Sequence, residues 1–234
     1  MGIEATIDAL SRKRFQDQAA YRLVNSKHPP IHIFDDVADQ ADFDALFAVQ
    51  ALTNPRLLQR TGQLNRVPED QRPWGIPGCN YALGPFVHVN PAGSRFSDGS
   101  FGVYYCADHI NTAIAETRYH QERYFQNVEG LKYDRIVMCG LKTHFSGTLL
   151  DITPASDHPR WHAASDYGPA RELGSHLKTE QHTGLHYESV RAAGQYCYAL
   201  LTPAVITSVI PTRHYEYIWD GEKIAHTLTI QGLS

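Results

Sequence analysis

Apolar positions along this chain recur with two different periods. Helical spacing appears around Phe43, Leu46, Phe47 and Leu52, stopped by Asn54 and Pro55, and again from His109 to about Tyr124. In the second segment Ile110, Ala113, Ile114 and Thr117 form an apolar stripe, and Asp108 stands where a capping side chain belongs. The same spacing sets Glu116 and His120 one turn apart on one face beside that stripe. A third helix is predicted from Pro169 to about Leu177, ahead of a turn at Gly184. The latter two thirds otherwise read as short β-rich runs: FVHV from Phe86, GVYYCA from Gly102, RIVMCGL from Arg135, TLLDI from Thr148, QYCYALL from Gln195, ITSVI from Ile206, HYEYIW from His214 and KIAHTLTI from Lys223. Helices among unevenly spaced strands, without a βαβαβ rhythm, predict an α+β fold.

The stretch from Pro55 to Phe86 has little periodicity and is rich in Arg, Gln, Pro and Gly. It is expected to form a long surface excursion, an insertion at about 55–85 that walls a site or a partner interface. No repeat and no linker-like run divides the chain, so one domain over residues 1–234 is the simplest organisation.

Composition removes several function classes. With 42% hydrophobic residues in 234 the chain buries a real core, and 21 basic against 25 acidic residues leave no basic field to hold a nucleic-acid backbone. The longest apolar run, from Tyr198, is shorter than the roughly 20 residues of a membrane span and is broken by Pro203. The N-terminal segment lacks an apolar targeting core, which predicts a cytoplasmic protein, and its Met-Gly-x-x-x-Thr start matches an N-myristoylation pattern that also arises by chance. Cys79, Cys106, Cys139 and Cys197 are far apart, as expected of reduced thiols.

The signatures GxxxxGK[ST], GxGxxG, GxSxG and HExxH are all absent, so P-loop, Rossmann, α/β-hydrolase and zincin chemistry lose support. Histidine pairs at i,i+4 (His28/His32, His158/His162, His182/His186) have Pro or Gly between them, so loop histidines are expected rather than a metal site. The informative window is GSRFSDGSFGVYYCADHINTAIAETRYH, from Gly93 to His120. A Gly-rich polar turn with Arg95, Ser97 and Asp98 leads into a strand with Tyr104 and Tyr105, then into the helix of Glu116 and His120. One reading brings an anion-friendly loop, an aromatic ring and a carboxylate together. The other is a hairpin and an amphipathic helix, with Arg95 solvated, Tyr105 in the core and Glu116 on the surface. YRLV from Tyr21, with Arg22, and LHYESVR from Leu185, with Ser189, are each ordinary alone.

Together these pieces resemble the RES-domain family, toxins of bacterial toxin–antitoxin modules named for an Arg, a Glu and a Ser. YRLV is similar to the family's W/Y-R-I/L-V, GSRFSDGSFGVYYCAD to its G-x-R-W/F-N/S block running into V-x-Y-L-A, TAIAETRYH to A-x-x-E-x-x-x-H, and LHYESVR to Y-P-S-V-R. Their order fits as well, with Glu116 eleven residues after Tyr105. Glu188 replaces a common Pro, and Tyr104 and Cys106 replace aliphatic strand residues. The resemblance implies a split mixed sheet with flanking helices similar to ADP-ribosyltransferase toxins, with NAD+ as substrate and no metal. It also implies a catalytic carboxylate at Glu116, Arg22 and Arg95 on the phosphates, Tyr105 against the nicotinamide or its ribose, Ser189 orienting Glu116 or the ribose, and His120 and Ser97 at the ligand. The acceptor of ADP-ribose is left open among a host protein, phosphate and water. The implied partner is an antitoxin with a helix-turn-helix DNA-binding domain, so direct nucleic-acid contact belongs to that partner. A non-enzymatic nucleotide- or protein-binding module and a histidine-ligated metal hydrolase are the rival readings.

Overall fold

The computed structural model describes residues 7–27, 34–35, 37–51, 63–153 and 159–231. Among these residues there are seven strands: β1 (Ser11–Asn25), β2 (Tyr104–Ala107), β3 (Asp134–Asp151), β4 (Gly184–Glu188), β5 (Tyr196–Leu200), β6 (Ile206–Trp219) and β7 (Ile224–Ile230). The described residues also form the α-helices α1 (Gln40–Ala51), α2 (Cys79–Val87), α3 (Ile110–Gln126) and α4 (Gly168–Thr179).

The strands form one sheet in the order β1-β2-β5-β4-β3-β6-β7, with an added β1–β3 pairing. β3 is its spine. One edge carries β1 from Ser11↔Asp151 to Asn25↔Met138, so the other edge must serve both β6, along Asp134–Phe145, and β4, at Leu150 and Asp151. That handover splits the sheet, and the parallel β3–β4 pairing makes it mixed. The expected α+β class with a split mixed sheet is met.

Strand alternation sorts the side chains into two apolar layers. Tyr198 and Leu200 of β5 join Tyr104, Cys106, Leu141 and Phe145 under α2, whereas Cys197 and Ala199 join Ala107, Leu185 and Tyr187 under α3 and α4. Helix α1 starts where Asp39 Oδ1 accepts the Asp42 N–H at 2.9 Å, a side-chain cap, and its Phe43 stacks on Trp74 with centroids 5.2 Å apart. The predicted stop at Leu52–Pro55 lies outside the described residues, as do His28, His32, His158 and residues 55–62.

Several expectations are corrected. Phe86 and Val87 end helix α2 instead of forming a strand; Cys79, Ala82, Leu83, Phe86 and Val87 are all buried at helical spacing, which outweighs the backbone bond lost at Pro85. Within the described part of the 55–85 segment, α2, Leu64 and Val67 pack into the core, while Asn65, Arg66 and Pro68–Asp70 remain on the surface. RIVMCGL and TLLDI are one continuous strand, and so are ITSVI and HYEYIW, where Pro211 is accommodated at a bulge. Asp108 does not cap α3. His109 holds the N-cap position, while the Asp108 carboxylate accepts the Thr112 hydroxyl at 3.1 Å and the Tyr196 N–H at 3.0 Å. His186 is a buried strand residue instead of a loop histidine. No helix among the described residues is long and apolar enough to cross a membrane.

Candidate active site

The loop before β2 is built to be rigid. Gly93 lies at φ +76°, and a Cβ there would run into the Ser97 carbonyl that the Ser94 N–H reaches at 2.8 Å. From α4, Arg171 donates to the carbonyls of Ser94 and Ala92, both at 2.9 Å. From β2, the Tyr105 hydroxyl accepts the Phe96 N–H at 2.9 Å and shares a 2.9 Å bond with Ser94 Oγ. Burial pushes the Tyr105 phenol up to about 12, so it stays protonated through the physiological range.

Arg22 on β1 donates from Nη1 to the Tyr105 carbonyl at 2.8 Å and places its guanidinium 4.8 Å from the Tyr104 ring centroid. Tyr104 faces the α2 layer and Tyr105 the α3 layer, so Arg22 reaches along the strand edge between them. Arg95 is neither solvated nor open. It is 8% exposed, donates from Nη1 to Ala163 O at 2.9 Å, and lies 4.6 Å from the Tyr167 centroid, tying segment 161–167 to the loop. Ser97, expected at the ligand, closes the loop that carries Arg95. It is buried, and its Oγ donates to Phe101 O at 2.6 Å and accepts the Gly99 N–H at 3.1 Å.

Glu116 and Ser189 meet. Ser189 directly follows β4 and is buried; its Oγ accepts the N–H groups of Arg191 at 3.1 Å and Ala192 at 3.0 Å. With both lone pairs engaged, its single proton is directed to Glu116 Oε1 at 2.6 Å, a short charge-assisted bond. Glu188, the departure from a common Pro, completes the same turn by accepting the Gly194 N–H at 2.8 Å. His120, one turn along α3, has its pKa drawn down by partial desolvation; Glu116 opposes this, and Arg191, Arg95 and Arg123 reinforce it. Two residues at this site had no role in the sequence reading. The Arg191 guanidinium lies 3.3 Å from the Tyr119 ring centroid and also donates to Ala164 O, and its Nε is buried without a hydrogen-bond partner. Arg191 was visible as the last letter of LHYESVR, whereas nothing in the sequence marked Tyr119. Among the described residues no group of three or more His, Cys, Asp or Glu side chains converges as metal ligands.

The RES domain matches residues 72–220, a span that contains Arg95, Tyr105, Glu116, His120 and Ser189. The chain belongs to the RES-domain family. A curated relative, the uncharacterized protein y4oC of Sinorhizobium fredii, is 30% identical over 209 residues, covering 88% of this chain and 84% of its own length. Arg22, on YRLV, lies before the span matched by the RES domain. A chain of the crystal structure of the M. tuberculosis MbcT–MbcA toxin–antitoxin complex is similar with a TM-score of 0.45 and 11% identity, covering 89% of this chain and 90% of that one.

Proposed function

We propose that this RES-domain chain is the toxin of a bacterial toxin–antitoxin module and cleaves the nicotinamide–ribose bond of NAD+, passing ADP-ribose to an acceptor in the cytoplasm. The observation that carries the reading is the Ser189–Glu116 bond, which fixes one carboxylate oxygen and leaves Oε2 without a protein partner among the described residues. Breaking the bond sends its electron pair to the nicotinamide nitrogen, and positive charge develops on the ribose C1′ and ring oxygen. A carboxylate held beside that charge lowers the barrier, as in glycoside hydrolysis. Nicotinamide leaves as a neutral molecule, and the vacated carbon takes an oxygen or nitrogen lone pair from phosphate, water or a protein side chain.

The remaining residues take roles that their settings support. Arg22, held at Nη1 by a carbonyl and against the Tyr104 ring, offers its other N–H groups to the pyrophosphate. The partly exposed Tyr105 ring supplies a stacking face while its hydroxyl holds the loop. Arg95 acts by fixing the 161–167 wall more than by touching phosphate. His120, drawn toward its neutral form, is a hydrogen-bonding group for the ligand or for Glu116. An antitoxin bearing a helix-turn-helix domain would silence the site, and a host protein is one candidate acceptor. The test is nicotinamide release from NAD+ by the antitoxin-free protein, in phosphate and in phosphate-free buffer, beside Glu116→Gln. Release in wild type and its loss in the variant support the reading; saturable NAD+ binding without product would replace it with a binding module.

A further inference from the structure

A second concavity lies away from Glu116. About 150 Å³ of space is enclosed by Arg66, Gln71, Phe86, Ser100–Gly102, Lys178 and Pro203 among its lining residues, roughly ten times what one water needs. Neither Glu116, Ser189, Arg22 nor Arg191 lines it, and neither does any Asp or Glu. Its two cations come from different elements, Arg66 from the turn Leu64–Arg66 and Lys178 from the last turn of α4. Each is anchored by a single backbone carbonyl, Arg66 Nη1 to Ser100 O at 3.1 Å and Lys178 Nζ to Leu201 O at 2.9 Å. Neither forms an ion pair with a described residue. An ammonium has three donors and a guanidinium five, so most of the N–H groups of this pair are left for something other than protein.

We propose that this pocket is a binding site for a small oxyanion of the phosphate class, distinct from the Glu116 site. The charge balance argues for it: two cationic residues line a small cavity whose lining holds no acid, and tetrahedral oxyanions match this mixture of a planar fork and a point charge. Desolvation lowers the Lys178 pKa with no carboxylate offsetting it, which is the situation an anion would relieve. The pocket also has a physical route to the loop. Ser100 O, Arg66's acceptor, adjoins Phe101, whose carbonyl receives Ser97 Oγ in the loop that carries Arg95. An occupant therefore braces the outer side of the same turn that Tyr105 and Arg171 hold from within.

The experiment is calorimetric titration of the full chain with inorganic phosphate and, separately, with AMP, at ionic strength held constant with chloride. It is run on Arg22→Gln, which lacks the guanidinium assigned to the pyrophosphate of NAD+, and on Arg66→Gln and Lys178→Met made in that background, with circular dichroism checking the fold. Arg66 is exposed and Met keeps the packed stem of Lys178, so both pocket variants are expected to fold. Saturable binding by Arg22→Gln, weakened about tenfold or more by each pocket variant, is the expected result. Saturation by phosphate identifies the free ion as the ligand, and saturation by AMP alone identifies a phosphoryl group on a larger molecule. Absence of saturable binding by either, or binding that persists in both pocket variants, overturns the proposal.

Discussion

Ser189→Ala isolates the one contact on which the proposed chemistry depends. The substitution removes the 2.6 Å bond to Glu116 Oε1 and leaves the carboxylate free to rotate, while the backbone of the turn keeps the Ser189 N–H to Gln195 O bond at 2.7 Å. A hydrogen bond to a charged group contributes about 1.5–3 kcal/mol. If the whole of that is realised in the transition state, kcat for nicotinamide release falls roughly 10- to 150-fold, at about 1.36 kcal/mol per decade, with KM for NAD+ little changed. The variant also deprives the N–H groups of Arg191 and Ala192 of an acceptor, so a separate stability loss of about 1–3 kcal/mol is expected. A chain of this size converts that to about 2–12 °C in melting temperature. The two effects separate in a double-mutant cycle. If Ser189 is a positioning residue acting through Glu116, Ser189→Ala costs far less activity on a Glu116→Gln background than on wild type. Equal costs on both backgrounds would refute the reasoning, as would wild-type turnover in Ser189→Ala alone.

Two further predictions test the frame around the site. His186 Nδ1 lies 3.0 Å from Asp151 Oδ1 where β4 pairs with β3, and burial lowers the His186 pKa against the opposing pull of Asp151. Burial by itself raises the Asp151 carboxyl, but bonds from Thr153 and His186 outweigh it and the net direction is down. In both cases the unfolded chain binds protons more readily, so stability is lost as pH falls, first below about 6.5 for the histidine and then below about 3.9 for the carboxyl. Chemical denaturation between pH 8 and 4 is expected to show the first decline in wild type and to lose it in His186→Phe; a decline of equal size in the variant would assign it to other groups. Gly174→Ala on α4 is expected to lower the melting temperature markedly and reduce activity with it, because the added Cβ would clash with the carbonyl of Phe96 in the loop held by Tyr105. A melting temperature within a degree of wild type would show that α4 and the loop are not packed as described.

Parts of this molecule were legible because one physical signal dominated locally. The stripe Ile110, Ala113, Ile114 and Thr117 fixed the place of α3, and with it the face carrying Glu116 and His120. Helix α2 carried an equally good stripe at 79, 82, 83, 86 and 87, but Gly84 and Pro85 inside it read as breakers. Strand β1 was visible only at YRLV, since Arg12, Lys13 and Arg14 have no strand preference; pairing with Leu150, Leu149 and Thr148 of β3 makes them extended, and Gln16 and Asp17 form a bulge between the paired stretches, Asp17 at φ +46°. The Ser189–Glu116 contact spans 73 positions and no periodicity reaches that far, so it entered through family resemblance alone. Ser97 was placed by the same resemblance, while its bonds to Phe101 O and Gly99 N–H, within its own loop, followed from no pattern in the sequence.

The central claim is that Glu116 drives cleavage of NAD+, and the most direct test is nicotinamide release by the purified antitoxin-free chain beside Glu116→Gln, each with its melting curve. The account predicts release by wild type and a loss of at least about a hundredfold in Glu116→Gln at a melting temperature close to wild type. Equal release by the two proteins, or none by a folded wild-type chain in phosphate, in its absence and in cell lysate, would contradict it.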